Sequence, residues 1–163
     1  MKLKLDESDL KILQHLQKDA RSSISVLAHL VGLSRPAVAE RIEKLERAGI
    51  IKGYTAVIKG DGVENPIVAF IAARHRGLLT GKAEQAVYEL SRKKEVLEVH
   101  GVAGEDCLYI KVRVKDMQDM NRLVRELQQP PLLMETRTTI AMNTYFEKAG
   151  GILIQDRAKE KNP

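Results

Sequence analysis

One segment of the chain places cationic, anionic and small side chains together at helical spacing. Arginine and lysine bind phosphate or guanine, and a glutamate accepts a hydrogen bond from cytosine. Small residues at the start of such a helix let its backbone approach the edges of the bases. The pattern predicts a helix that binds in the major groove of DNA. Its predicted contact residues are Ser34, Arg35, Pro36, Ala37, Glu40, Arg41 and Lys44.

Capping and periodicity indicate where this helix begins and which side of it is buried. Ser34 is a good N-cap residue, and Pro36 falls in the first turn, where its missing N–H costs nothing. The apolar residues recur at spacings of four and three, at Val38, Ile42 and Leu45. At about 100° per residue, Arg35 and Arg41 flank that stripe, and the other charged positions point away from it.

A second helix precedes this one, so that Ser23–Gly49 has the layout of a helix-turn-helix. Gly32 fits the left-handed position that ends a helix sharply. Ala28 is small enough to let two helices cross closely. This helix, about Ile24–Val31, is predicted to bury Leu27, Ala28, Leu30 and Val31.

A first helix is predicted over about Asp6–Lys18, with Asp6 as its N-cap and Asp9 in the positive first turn. Its apolar positions are Leu10, Ile12, Leu13 and Leu16. After the third helix, Lys52–Ile58 is predicted to form a strand. This strand is either the wing of a winged helix-turn-helix or a connector that leads out of the domain.

Composition limits the class of protein. The chain has 163 residues and a formal charge of +5; residues 1–58 hold ten basic and seven acidic residues. This denser basic surplus fits a part that contacts phosphates. A single cysteine and four scattered histidines give no zinc-binding spacing, and no apolar run reaches membrane-spanning length. We expect a cytoplasmic protein with no cofactor or metal and no contact with a membrane.

The remaining two thirds alternate strands and helices. The predicted strands are Ile67–Ala73, Val96–Ala103, Cys107–Val114 and Glu135–Phe146, and the predicted helices are Lys82–Ser91 and one that Asp116 caps. This β-α-β-β-α-β order is that of a ferredoxin-like sandwich, which gives the whole chain an α+β fold. Because helices cover one face of such a sheet, we expect the other face to be buried in a homodimer, with an octamer as a larger alternative.

The assembled pattern resembles the Lrp/AsnC (leucine-responsive/asparagine regulator) family of transcription factors. The resemblance covers roughly residues 3–147. It rests on Leu5-Asp6, Asp9, Ile12-Leu13, Asp19-Ala20-Arg21, Leu27-Ala28, Gly32-Leu33-Ser34, Val38, Arg41-Ile42, Leu45-Glu46 and Gly49-Ile50-Ile51, and on Gly104-Glu105-Asp106-Cys107 and Thr136-Arg137-Thr138 in the second part. It implies a sequence-specific DNA-binding regulator that responds to an amino acid or a related metabolite. The implied domains are a winged helix-turn-helix over 1–51, a connecting strand and linker over 52–65, a ligand-sensing and oligomerisation domain over 66–147, and an extension over 148–163.

The resemblance also places an effector site near the glycine-containing turn, between subunits. The residues that it implies there are Gly104, Glu105, Asp106, Thr136 and Thr138. A carboxylate suits the ammonium of an amino acid, and hydroxyl or N–H donors suit its carboxylate. The chain departs from several members at Cys107, because its acid stands one residue earlier, at Asp106. It also has Pro130-Pro131 before the last strand, where many members have a glycine.

Two other interpretations of the first third stay open. By periodicity alone, the charged helix fits an ordinary bundle in which the charges are merely solvated. A second hypothesis is a small-molecule-binding regulatory subunit that uses its winged helix for protein contacts; it predicts amino-acid binding without DNA affinity. An enzyme is not favoured, because no acid/base or nucleophile constellation stands out.

Overall fold

The computed structural model describes residues 3–58, 62, 65–75 and 77–147. They form two compact units, which divide between Val57 and Ile58. The extension over 148–163 lies outside the described residues, as do parts of the linker. No helix in the described part of the chain has the length and apolar run that a membrane span needs.

The first unit is built from three helices, each begun by a side-chain cap. They are α1 (Glu7–Lys18), α2 (Ile24–Val31) and α3 (Arg35–Arg47). Asp6, Ser23 and Ser34 are the N-caps, and each side chain accepts a hydrogen bond from a backbone N–H three residues later. The three predicted helices are confirmed.

Apolar residues from all three helices meet in one small core. Ile12, Leu27, Ala28 and Val38 are buried there, and Leu16, Val31, Leu33 and Ile42 pack against them. The burial of Leu30 is predicted wrongly, since 45% of this residue is exposed. It lies two positions, or about 200°, beyond Ala28, so it faces away from α1 and α3.

Two strand predictions differ strongly from the structure, whereas Val96–Ala103 ends only two residues early, at Gly101, and Cys107–Val114 begins one residue late, at Leu108. Lys52–Ile58 is not a strand, because no described segment pairs with it, and nearly all of it is exposed. The last strand ends at Ile140 instead of Phe146. Its partner runs antiparallel to it and starts at Ile67, so the pairing ends soon after Ile140, with one more backbone bond from Ala141 N–H to the carbonyl of Val68 (2.9 Å).

The second unit is a four-stranded antiparallel sheet with two helices. Its elements are β1 (Ile67–His75), α4 (Lys82–Glu89), a single 3-10 turn (Leu90–Arg92), β2 (Val96–Gly101), β3 (Leu108–Val114), α5 (Met117–Gln128) and β4 (Met134–Ile140). The strand order is β2-β3-β1-β4, which is the ferredoxin-like order, so the predicted fold class is confirmed.

Register separates the two faces of this sheet. Ile71 of β1 lies opposite Ile110 of β3 and Thr138 of β4, so these side chains share one face. That face packs against α5 through Met120, Leu123 and Leu127, all of which are buried. The opposite face, which we call the open face, carries Val68, Phe70 and Ala72 of β1 and Tyr109, Lys111 and Arg113 of β3.

The chain beyond β4 crosses this open face. The carboxylate of Glu147 accepts hydrogen bonds from Lys111 Nζ (2.7 Å) and Arg113 Nη2 (2.9 Å), both on β3. The Lys111 bond is the main cause that holds the pKa of Glu147 below its usual range. Because β1 separates β3 from β4, the segment Ala141–Glu147 passes over β1.

Candidate nucleic-acid interface and effector site

The start of α3 is fixed by its own sequence. The Oγ atom of Ser34 accepts a hydrogen bond from the backbone N–H of Ala37 (3.4 Å), and Pro36 occupies the first turn. The apolar side of the helix packs in the core through Val38 and Leu45, which are buried. Only the remaining face of α3 is therefore available to a ligand.

Charged side chains on that face are exposed. Arg35, Glu40 and Lys44 are all exposed, and none of them forms an ion pair with any residue in the described part of the chain. Lysine and arginine that are not already paired can neutralise phosphates, and an exposed glutamate can select cytosine. The structure thus brings together Arg35, Glu40 and Lys44 with the small residues at the helix start.

Arg41 differs from its neighbours, because its guanidinium contacts two carboxylates of α1. Its Nη1 atom lies 2.6 Å from Oδ2 of Asp6 and 2.7 Å from Oδ1 of Asp9. The same two aspartates form a capping box, in which each carboxylate accepts the backbone N–H of the other residue. The N–H of Asp9, followed by Arg41, lowers the pKa of Asp6 below its ordinary value.

The end of α3 is also held by a side chain. The hydroxyl of Tyr54, in the segment that follows the helix, donates a hydrogen bond to Oε1 of Glu46 (2.8 Å). Burial, together with the neighbouring carboxylate of Glu46, raises the pKa of Tyr54 to about 12. The unpaired segment Lys52–Ile58 is therefore attached to the helix at this point.

In the second unit, the residues that the resemblance implies for an effector lie around the end of β1. Cys107 N–H donates to the carbonyl of Ala73 (2.9 Å), and Ala73 lies opposite Thr136 of β4. The turn at Gly104 and the start of β4 therefore flank the same strand end. Gly104 has φ +142°, a conformation that side chains rarely adopt, and Glu105 is exposed.

The structure does not gather all five of these residues into one pocket of a single protomer. Asp106 is largely buried (15% of its side chain is exposed) and pairs with Arg137 Nη2 at 3.0 Å. Arg137 leaves β4 on the open face, whereas Thr136 and Thr138 leave it on the helix-covered face. The Oγ1 atom of Thr136 accepts a hydrogen bond from Gln128 Nε2 (3.1 Å) on α5.

Sequence reasoning missed the partners of these polar groups. Arg137 and Gln128 received no role, although the alternation of Thr136, Arg137 and Thr138 along a strand already placed the arginine on the other face. No spacing rule links Gln128 to a strand eight residues later. Cys107 is half-buried and packs against the core, with Sγ 4.0 Å from the carbonyl oxygen of His75. Among the described residues, no cluster has the ligands to hold a metal ion.

A three-helix unit with an exposed charged helix, followed by a ferredoxin-like unit, defines a class of two-part DNA-binding regulators. Two family models match the two units in this order. Residues 5–52 match a winged helix-turn-helix DNA-binding model, and residues 69–150 match the Lrp/AsnC ligand binding domain. The chain belongs to the Lrp/AsnC family of transcriptional regulators, as its sequence indicated.

Individual relatives agree with this assignment. The leucine-responsive regulatory protein of Escherichia coli K12 is 34% identical over 139 residues, which are 85% of this chain and 85% of that protein. The HTH-type transcriptional regulator FL11 of Pyrococcus horikoshii is 29% identical over 147 residues, which are 90% of this chain and 95% of that protein. Both relatives are named as regulators.

Solved structures share the fold over the same length. The leucine response regulatory protein LrpA of Mycobacterium tuberculosis has a TM-score of 0.80 and 30% identity, over 88% of this chain and 97% of that one. A feast or famine regulatory protein from M. tuberculosis complexed with L-methionine has a TM-score of 0.79 and 30% identity, over 90% of this chain and 97% of that one. The protein is accordingly a DNA-binding transcriptional regulator with a ligand-binding domain.

Proposed function

We propose that this regulator binds duplex DNA through the exposed face of α3. The contacts would come from Ser34, Arg35, Pro36, Ala37, Glu40 and Lys44, with Arg41 beside them. The observation that carries the proposal is that Arg35, Glu40 and Lys44 lie exposed, without an ion pair to any described residue, on a helix whose opposite side is locked in the core. Charges that are not used internally are available for phosphates and base edges.

Replacing one of these charges tests the proposal. A phosphate contact releases counterions, so its loss reduces the slope of log affinity against log salt by about one. We expect Lys44→Ala to weaken binding to a duplex that the wild-type protein enriches from a randomised pool, with that reduction in slope. Fluorescence anisotropy over a salt series measures both quantities.

Lys18→Ala is the matched control, because Lys18 is an exposed lysine in the last turn of α1. It should leave affinity and salt slope unchanged. If the two variants behave alike, α3 is not the contact helix. If the wild-type protein binds no duplex, the alternative of a regulatory subunit with protein contacts is favoured.

The ligand of the second unit, we infer, is an amino acid or a related metabolite. Relatives of known structure support this, because the proteins from M. tuberculosis and Neisseria meningitidis are described as complexes with L-methionine. The proposed contacts are the carboxylate of Asp106, which now pairs with Arg137 and would bind the ammonium, and the hydroxyls of Thr136 and Thr138, which would bind the carboxylate from the other face of β4. Gly104 and Glu105 supply the turn itself.

A thermal-shift screen of the common amino acids at millimolar concentration tests this inference. A ligand raises the melting temperature with the logarithm of its concentration over its Kd. For any amino acid that stabilises the wild type, we expect Asp106→Asn to reduce the shift, while Glu89→Gln, an exposed change on α4, leaves it intact. Equal shifts in melting temperature in both variants would show that Asp106 does not contact the ligand.

The open face of the sheet supports a homodimer as the working assembly. Phe70 and Tyr109 remain 43% and 42% exposed there, on the face that no helix covers. A second copy that packs on this face would bury both aromatic rings, and a symmetric pair would present two α3 helices to two half-sites.

A further inference from the structure

We propose that Arg41 acts as a positioning residue, which sets the orientation of α3 through α1 and makes no phosphate contact of its own. This inference rests on the proposed function, because it concerns how the DNA-contacting face is held. It separates Arg41 from Arg35 and Lys44, which share its charge and its helix. The proposal is based on the contact of Arg41 with two aspartates at the start of α1, Asp6 and Asp9.

The first step is that Arg41 is already engaged through Nη1, one of its three guanidinium nitrogens. One guanidinium nitrogen lies within 2.7 Å of two carboxylate oxygens that belong to different residues, Asp6 and Asp9. Only 12% of the Asp9 side chain is exposed, and only 30% of Arg41. If the arginine moved to a phosphate, it would leave an uncompensated charge at Asp9 in a largely buried position, which is costly.

The second step is that backbone hydrogen bonds hold both carboxylates. Asp6 and Asp9 cap the first turn of α1 reciprocally, so backbone N–H groups fix both side chains. The arginine therefore docks on a rigid acceptor instead of on two free rotamers. A charge-assisted pair of this kind transmits orientation as well as stability.

The third step is the place of Arg41 on α3. It flanks the buried stripe that includes Val38 and Leu45, and it lies next to Glu40 on the exposed side. Apolar packing on one side and an ionic anchor at its margin together resist rotation of α3 about its axis. Such a rotation would move Glu40 and Lys44 relative to a groove, and base contacts tolerate little displacement.

The experiment compares Arg41→Ala, Asp9→Asn and Lys44→Ala in the full chain. Each is titrated, at a temperature where circular dichroism shows it folded, with the duplex enriched by the wild type and with a random-sequence duplex of equal length. For Arg41→Ala we expect about tenfold weaker binding to the enriched duplex, a smaller preference over the random one, and an unchanged salt slope. Asp9→Asn, which keeps the capping acceptor but loses the charge, should change binding in the same direction and by less, because Asp6 still pairs with Arg41.

The double variant Arg41→Ala/Asp9→Asn should bind no worse than Arg41→Ala, because the link to Asp9 is already lost when the arginine is removed. A fall of about one in the salt slope of Arg41→Ala would show a phosphate contact and overturn the proposal. An unchanged affinity in the folded Arg41→Ala protein would also overturn it, since the pair would then serve stability alone. If the wild type enriches no sequence, the proposed function fails. It also fails if Lys44→Ala leaves the affinity unchanged, and that outcome does not depend on Arg41.

Discussion

Carboxylates in the first unit contact other side chains at the middle and at the end of α3. Asp6 and Asp9 hold Arg41, and Glu46 holds the hydroxyl of Tyr54. Each pair joins α3 to another segment, because Asp6 and Asp9 lie at the start of α1 and Tyr54 follows α3. At the scale of single residues, the position of α3 therefore depends on groups outside the face that we propose binds DNA.

Tyr54 offers a direct spectroscopic test of this arrangement. Partial burial of the hydroxyl, and after it the bond to Glu46, raises the pKa of Tyr54 from the ordinary 10.0 to about 12, so the stability linked to its neutral form is complete below pH 10 and is lost as pH rises through 12. We expect one tyrosine to ionise near pH 12 in an absorbance titration at about 295 nm. That transition should vanish in Tyr54→Phe and persist in Tyr88→Phe, which removes an exposed tyrosine of the second unit.

At the scale of elements, the turn between α2 and α3 depends on the backbone of Gly32. This residue has φ +68°, and a Cβ added to it would meet nothing within 4 Å. Any loss of stability caused by a side chain at this position therefore comes from the backbone conformation and not from a steric clash. We expect Gly32→Ala to destabilise the first unit by about 1 kcal/mol, as alanine does in left-handed positions. Thermal unfolding followed by circular dichroism at 222 nm measures the change.

Gly101→Ala is the control for that substitution. Gly101 also has open space around an added Cβ, but its φ lies outside the left-handed region. Because alanine restricts the unfolded chain more than glycine does, this variant should be neutral or slightly stabilising. Equal destabilisation by both changes would mean that the backbone of Gly32 has no special role.

The helices were largely predictable, because caps and apolar spacing are local signals. Ser34, Gly32 and the stripe from Val38 to Leu45 fixed α3 almost to the residue. Strand ends were harder, because a strand lasts only as long as its partner: β4 stops at Ile140 since β1 begins at Ile67. The ion pairs of Arg41 and Asp106 join residues 32 and 31 positions apart, and a single sequence carries no signal for such distant contacts.

At the scale of the whole molecule, the proposed homodimer depends on the open face of the sheet. An acidic residue at Phe70 would be buried against its own copy in a symmetric dimer, where like charges repel and desolvation is costly. We expect Phe70→Glu to sediment as a monomer at concentrations where the wild type is a dimer. Leu78→Glu, at a residue that is 84% exposed and outside the sheet, should leave the dimer intact.

One edge of the same sheet is poorly suited to the addition of further strands. The edge strand β2 is only six residues long, shifts register between Val96 and Glu98, and carries charged Glu98 beside His100. Short, bulged and charged edges resist the addition of further strands. Association through the face is self-limiting, because one symmetric contact consumes the surface on both copies. A dimer of this kind would therefore leave neither copy with a free sheet face on which a chain of further copies could grow.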